Sequence, residues 1–284
     1  MINKQTLHQS PRFWLPAFTS LLLGACSLAA SAETLRLSGS VEQGALLLGK
    51  IPAGYQASYN KQPLQVTPQG QFLLGLGREA QPRIEVSLTS PSGVKTTEQF
   101  AVLKRDYKIQ RVEGVPQKTV TPRAEDTARI RNDSMLVKRA RKDITDSLDF
   151  LDGFQRPLEG PVTGVYGSQR FYNGIPKSPH YGVDYAAPTG TLVMSPASGV
   201  VRLAHRDLFY SGGTLIVDHG HGLSSTFLHL SDILVEEGMR VERGKPIAKV
   251  GSTGRATGPH LDWRMNWRQV RIDPVLVLKA LPVR

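Results

Sequence analysis

Six of the seven histidines in this 284-residue chain fall between positions 180 and 260, and among them His180 and His260 are each followed by a carboxylate at short range. His180 and Asp184 are four residues apart in Pro179-His180-Tyr181-Gly182-Val183-Asp184. That spacing lets an extended or looped segment present an imidazole and a carboxylate to one ion. His260 and Asp262 are two residues apart, so on a strand they project from the same face, with Leu261 on the other. His229, in Phe227-Leu228-His229-Leu230-Ser231, follows a strand-like run. Each group alone reads equally well as a surface pair or a satisfied histidine. Three separated groups within one stretch point to a metal held by imidazole and carboxylate, with further imidazoles to move protons.

The surrounding sequence supplies strands to position them. From Pro157 to Pro282 short apolar runs such as Gly199-Val200-Val201-Arg202-Leu203 and Thr214-Leu215-Ile216-Val217-Asp218 are broken by Gly and Pro, with no helix expected among them. An all-β, antiparallel domain over 157–284 follows, with the site between strand ends. A second set of alternating runs, including Arg83-Ile84-Glu85-Val86-Ser87-Leu88, fills 33–112 and reads as a small β-sandwich without a catalytic constellation. Between them, 113–156 reads as a helical linker, with apolar residues at Ile130, Met135, Leu136, Ala140, Ile144 and Leu148 near helical spacing. Its basic run Lys138, Arg139, Arg141 and Lys142 is expected on a solvated helix face.

At the start of the chain, Lys4 and Arg12 precede an apolar stretch from Phe13 to Ala25 and small residues ending Ala30-Ser31-Ala32. This reads as a signal peptide over 1–32, too short for a stable membrane span. Leu23-Gly24-Ala25-Cys26 also resembles a lipobox, so membrane attachment would follow only from lipidation at Cys26. Strand-like sequence starting at Thr34 favours cleavage after Ala32, which leaves a mature chain without cysteine and excludes disulfides and thiol catalysis. The formal net charge of +11 suits an anionic envelope or acidic polymer. Nucleic acid is excluded as a partner, because no basic run is interleaved with aromatics.

Three motifs together carry a more specific resemblance: His-x-x-x-Asp at 180–184, His229-Leu230, and Gly251-Ser252-Thr253-Gly254-Arg255-Ala256-Thr257-Gly258-Pro259-His260-Leu261. They resemble the lysostaphin and LytM family of peptidoglycan endopeptidases. Tyr166-Gly167-Ser168-Gln169-Arg170 and Asp184-Tyr185-Ala186-Ala187-Pro188-Thr189-Gly190 resemble its framework. The resemblance spans most of residues 157–275. Position by position it implies that His180, Asp184 and Asp262 hold Zn2+, and that His229 and His260 flank the metal and carry protons.

The family pattern is His-x-His, whereas this chain has His260-Leu261-Asp262. Asp binds zinc at about the same distance as imidazole, roughly 2.0 to 2.2 Å. A second carboxylate makes a more anionic ligand set and a weaker Lewis acid. The resemblance thus implies an exported, periplasmic zinc metalloendopeptidase that cuts peptidoglycan stem or cross-bridge peptides. The alternative is a catalytically impaired LytM-like module that binds cell wall or activates an amidase, which would bring an envelope regulatory protein as partner. His219, His221 and His205 are expected in structural or surface roles, and Asp207 and Tyr210 beside a substrate groove.

Overall fold

The computed structural model describes residues 34–283. The signal peptide expected over 1–32, with Cys26 and Ala32, lies outside the described residues. Two antiparallel sheets come first. Strands β1 (Arg36–Ser38), β2 (Leu46–Lys50) and β5 (Gln71–Gly75) form one; β3 (Gln56–Tyr59), β4 (Gln62–Pro63), β6 (Arg83–Thr89) and β7 (Lys95–Ala101) form the other. Strict alternation drives this: on β6 Ile84, Val86 and Leu88 are buried while Arg83 and Glu85 face water. The apolar faces of both sheets belong to one continuous core with the strands that follow, which includes Phe72, Leu74, Trp263, Trp267 and Ile272. From Thr34 onward the chain is one compact unit.

After β8 (Ile109–Val112) and a short turn of helix, α1 (Gln117–Val120), comes α2 (Thr127–Ala140). The expected linker helix is thus present, but it ends at Ala140, before Ile144 and Leu148. It packs through Val137 and Ala140 against Leu203, Leu208 and Ile216, leaving Met135 and Leu136 exposed. Arg141, just past the helix end, departs from the expected solvated face. Its guanidinium turns inward, and Nη2 donates to Thr226 Oγ1 at 2.7 Å.

The remaining strands are β9 (Val162–Gly164), β10 (Gln169–Tyr172), β11 (Ile175–Pro176), β12 (Gly182–Ala186), β13 (Leu192–Met194), β14 (Gly199–Leu208), β15 (Gly212–Asp218), β16 (Leu223–Leu230), β17 (Asp232–Ile233), β18 (Arg240–Val241), β19 (Pro246–Lys249), β20 (His260–Trp267) and β21 (Val270–Ile272). Their main sheet runs β18-β14-β15-β16-β20-β12-β9, with β21 beside β20. Every residue of β15 and β16 is buried, which marks them as central strands covered on both faces. The fold is all-β and antiparallel, as the sequence leads one to expect, with one parallel pairing between the strands of the described residues, β8 against β10. That pairing hydrogen-bonds a strand from before the linker helix to the strand that carries Arg170.

A helix that the strand pattern does not lead one to expect closes the chain, α3 (Pro274–Ala280). Its start was written in the sequence as Asp273-Pro274: Asp273 accepts a hydrogen bond from the Val275 amide at 2.9 Å, and proline occupies the first helical position.

Candidate metal centre

Strands β16, β20 and β12 lie side by side, and their register builds the site. Asp184 on β12 is directly opposite Asp262 on β20, and Asp262 is opposite Leu228 on β16. Two like charges directly opposite on antiparallel strands repel, so the pairing is costly without a cation between them. His180, in the loop entering β12, supplies the third group. Its Nε2 lies 3.0 Å from Asp184 Oδ1 and 3.4 Å from Asp262 Oδ1. All three side chains are buried, and their ligand atoms lie within 4.8 Å of one another.

Although close, these atoms are not hydrogen-bonded: His180 Nε2 and Asp184 Oδ1 are buried and have no hydrogen-bond partner. Orphaned buried polar atoms are rare and costly, and here they face a common point. Tetrahedral zinc with bonds of about 2.0 to 2.2 Å has donor-to-donor edges of about 3.3 to 3.6 Å. The observed separations are close to that, so the residues fit the ion. Nδ1 of His180 lies 3.3 Å from the carbonyl of Val165. A carbonyl can only accept, so Nδ1 carries the proton and Nε2 keeps its lone pair for a metal.

Each carboxylate is held by an arginine, Asp184 on its far oxygen alone and Asp262 on both. Arg170 Nη2 donates to Asp184 Oδ2, and Arg264 forks onto Asp262, Nε to Oδ1 at 3.0 Å and Nη2 to Oδ2 at 2.6 Å. Burial pushes the Asp262 carboxyl up, yet Arg264 and His180 overwhelm it and hold the group well below the usual carboxylate range. Burial likewise raises Asp184, but His180 and Arg170 bring it below its ordinary value. His180 shows the complementary effect: burial depresses it, and Asp262 and Asp184 raise it. The pocket favours positive charge at its centre. Room for the two carboxylates comes from Gly164 and Gly182, where a Cβ would overlap Asp184 Oδ2 and Asp262 Oδ1 respectively.

Beside this cluster stand the other two histidines named from sequence, with ring centroids 4.9 Å apart. His229 has φ +64°, a left-handed backbone that is uncommon outside glycine. It sits where the register of β15 against β16 shifts, and such a bulge re-aims a side chain. Nδ1 of His229 donates to the Thr253 carbonyl at 2.8 Å, and Nδ1 of His260 to the Gly258 carbonyl at 2.9 Å, so both rings keep Nε2 as the free nitrogen. Burial lowers His229 to about 4, the nearby His260 adding to the effect and Asp262 opposing it. His229, His260, Asp184 and Asp262 all line a cleft of about 330 Å³.

The other histidines are apart from this cleft. His219 is wholly buried between Ser198 and Ser225, and His221 is buried too, so a structural role holds and a surface one does not. Tyr210 lines the cleft, whereas Asp207 pairs with Arg129 of α2 at 2.8 Å. Sequence reasoning missed Arg170 and Arg264. The signal available was an arginine two residues from Asp262 on the same strand face.

Comparison with known proteins agrees with this arrangement. Residues 178–274 match peptidase family M23, and this part of the chain is a domain of that family. The peptidoglycan DD-endopeptidase ShyA of Vibrio cholerae is 43% identical over 103 residues, 36% of this chain and 23% of ShyA. ShyB of the same organism, also a peptidoglycan DD-endopeptidase, is 38% identical over 132 residues, 46% of this chain and 28% of ShyB. The matched segments thus span about a quarter of the length of these relatives. A crystal structure of a candidate peptidase M23 from Pseudomonas aeruginosa superposes with a TM-score of 0.67 at 28% identity, covering 85% of this chain and 96% of that one. The shared fold therefore extends well beyond the M23 domain.

Proposed function

We propose that this protein is an exported zinc metalloendopeptidase that hydrolyses peptide bonds in the stem or cross-bridge peptides of peptidoglycan. The observation that carries the reading is the convergence of His180 Nε2, Asp184 Oδ1 and Asp262 Oδ1 on one point beside two imidazoles with free Nε2 atoms. The names of ShyA and ShyB support the substrate class.

His180, Asp184 and Asp262 would hold the zinc, beside the cleft that Asp184 and Asp262 line. When bound, zinc supplies Lewis-acid polarisation of the scissile carbonyl and acidifies water at neutral pH. His229, neutral at pH 7 because burial holds it near 4, accepts the proton of the attacking water at Nε2. His229 then returns that proton from Nε2 to the departing amine, and His260, as an imidazolium carrying a second proton at Nε2, would steady the carbonyl oxygen as it gains charge. Arg170 and Arg264 counter the extra negative charge that a second carboxylate brings to the ligand set. Their placement favours a working site over the impaired wall-binding or amidase-activating module. The sandwich at 33–112 acts as a spacer or docking module. The signal-like sequence at 1–32 and a wall substrate support a periplasmic location. No helix among the described residues is long and apolar enough to cross a membrane.

The test is metal content and sacculus digestion on one preparation of wild type, His180→Ala and Asp262→His. About one equivalent of zinc with activity lost in His180→Ala is the expected result. A wild type without metal or activity, both restored in Asp262→His, would overturn the reading in favour of the impaired module.

A further inference from the structure

Between α2 and the face of the main sheet runs a second cavity of about 590 Å³. It shares Arg170, Tyr172, Tyr210, Arg255 and Arg264 with the cleft of the metal cluster, so the two spaces adjoin. Its walls are strongly cationic. Arg170 and Arg264 are committed to Asp184 and Asp262, but Arg141, Arg255 and Arg271 form no ion pair among the described residues. The groove's own carboxylate is Asp133, and it accepts from the Phe209 amide at 2.7 Å.

Each of the three guanidiniums is fixed in place. Arg141 is anchored by one bond to Thr226, and its Nε is buried with no partner. Burial, reinforced by the like charges of Arg264 and Arg271, lowers its pKa to about 10. Arg255 lies between the rings of Tyr172 and Tyr210, 4.8 and 4.7 Å from their centroids. Arg271 stacks over Tyr181 at 4.3 Å. Rings hold the flat faces of Arg255 and Arg271 and leave their donor edges available. Arg141 and Arg255 are half-buried and Arg271 is exposed, and such a cluster of cations without counter-charge favours an anion among them.

We propose that this groove is an anion subsite that takes a free carboxylate of the bound peptide, gripped by Arg141, Arg255 and Arg271. A planar carboxylate matches the forked donors of guanidinium, and bonds between ionised partners are about twice as strong as neutral ones. The groove adjoins the cleft, so a peptide lying over the metal cluster can place a neighbouring carboxylate there. The inference rests on the peptidase reading for the identity of the anion.

The experiment uses a synthetic muropeptide cross-link with its carboxylates free and the same compound with them converted to carboxamides. Binding to full-length His180→Ala protein is followed by calorimetry, and cleavage by zinc-loaded wild type is followed in parallel. A preference of at least about tenfold for the free carboxylates is expected, since a guanidinium–carboxylate bond is a charge-assisted one. Arg141→Met should bring that ratio toward one, and so should Arg271→Gln, an exposed position that keeps the fold intact if Arg141→Met does not. Equal binding of the two compounds, or variants that weaken both equally, would overturn the subsite. Loss of cleavage by wild type with the preference intact would sink the peptidase reading and leave the subsite standing.

Discussion

Asp184 and Asp262 face each other across adjacent antiparallel strands, both nearly inaccessible to solvent, with only a histidine nitrogen between their near oxygens. The sheet holds two carboxylates where sheet pairing alone would disfavour them. Divalent metal should therefore stabilise the fold as well as activate it. Zinc at a hundred times its dissociation constant is expected to add about 2.7 kcal/mol. Differential scanning calorimetry of wild type should show this rise in Tm, and His180→Ala should show little of it.

Arg264 is expected to matter before any metal binds. Replacing it by Met leaves the Asp262 carboxylate buried without its forked partner. Breaking a buried pair costs about 3 to 5 kcal/mol; the Arg264 side chain keeps 29% exposure, so a loss nearer 2 kcal/mol is expected. Urea unfolding of metal-free Arg264→Met measures it. An unchanged midpoint would mean that the fork contributes nothing to the metal-free fold.

Metal binding and turnover should separate at His229. His229→Ala is expected to retain about one equivalent of zinc while kcat falls by roughly 10²- to 10⁴-fold, the usual contribution of a positioned acid–base group. Metal analysis and muropeptide release on the same sample make the comparison. Loss of zinc in this variant would move His229 into the ligand set.

Acid should unfold the metal-free protein through its buried imidazoles. Burial depresses both His219 and His229, the latter to about 4. In the unfolded chain histidine titrates near 6.5, so between these values the unfolded state binds more protons. Their contribution is complete above about pH 6.5 and is lost as pH falls toward the depressed values, at about 1.4 kcal/mol per unit of depression. Thermal melts from pH 7.5 to 4.5 should show Tm falling with pH, less steeply in His219→Gln.

Much of the site could be read in the chain because its groups are paired locally: His180 with Asp184, and His260 with Asp262, obey strand and loop spacings that survive folding. His229 was legible by its flanking Leu and Ser, although its bulge and left-handed backbone were not. Arg264 had a local signal, two residues from Asp262 on one strand face, but Arg170 was not legible, because it meets Asp184 across strands 14 positions apart in sequence. Nothing in the sequence sets Gly164 and Gly182 apart, and only the placed carboxylates reveal why a Cβ is excluded there. The inward turn of Arg141 was hidden for a related reason, since nothing in a run of basic residues says which one reaches a distant strand.

The parallel pairing of β8 with β10 has an architectural consequence. Gln110 on β8 accepts from Arg170 Nε at 3.1 Å, and Arg170 in turn holds Asp184. A segment that precedes the helix thus steadies Asp184 of the candidate metal centre at one remove. A fragment trimmed to begin at residue 157 would be missing part of its own scaffolding: the liganding side chains would remain, but the brace behind one of them would be gone.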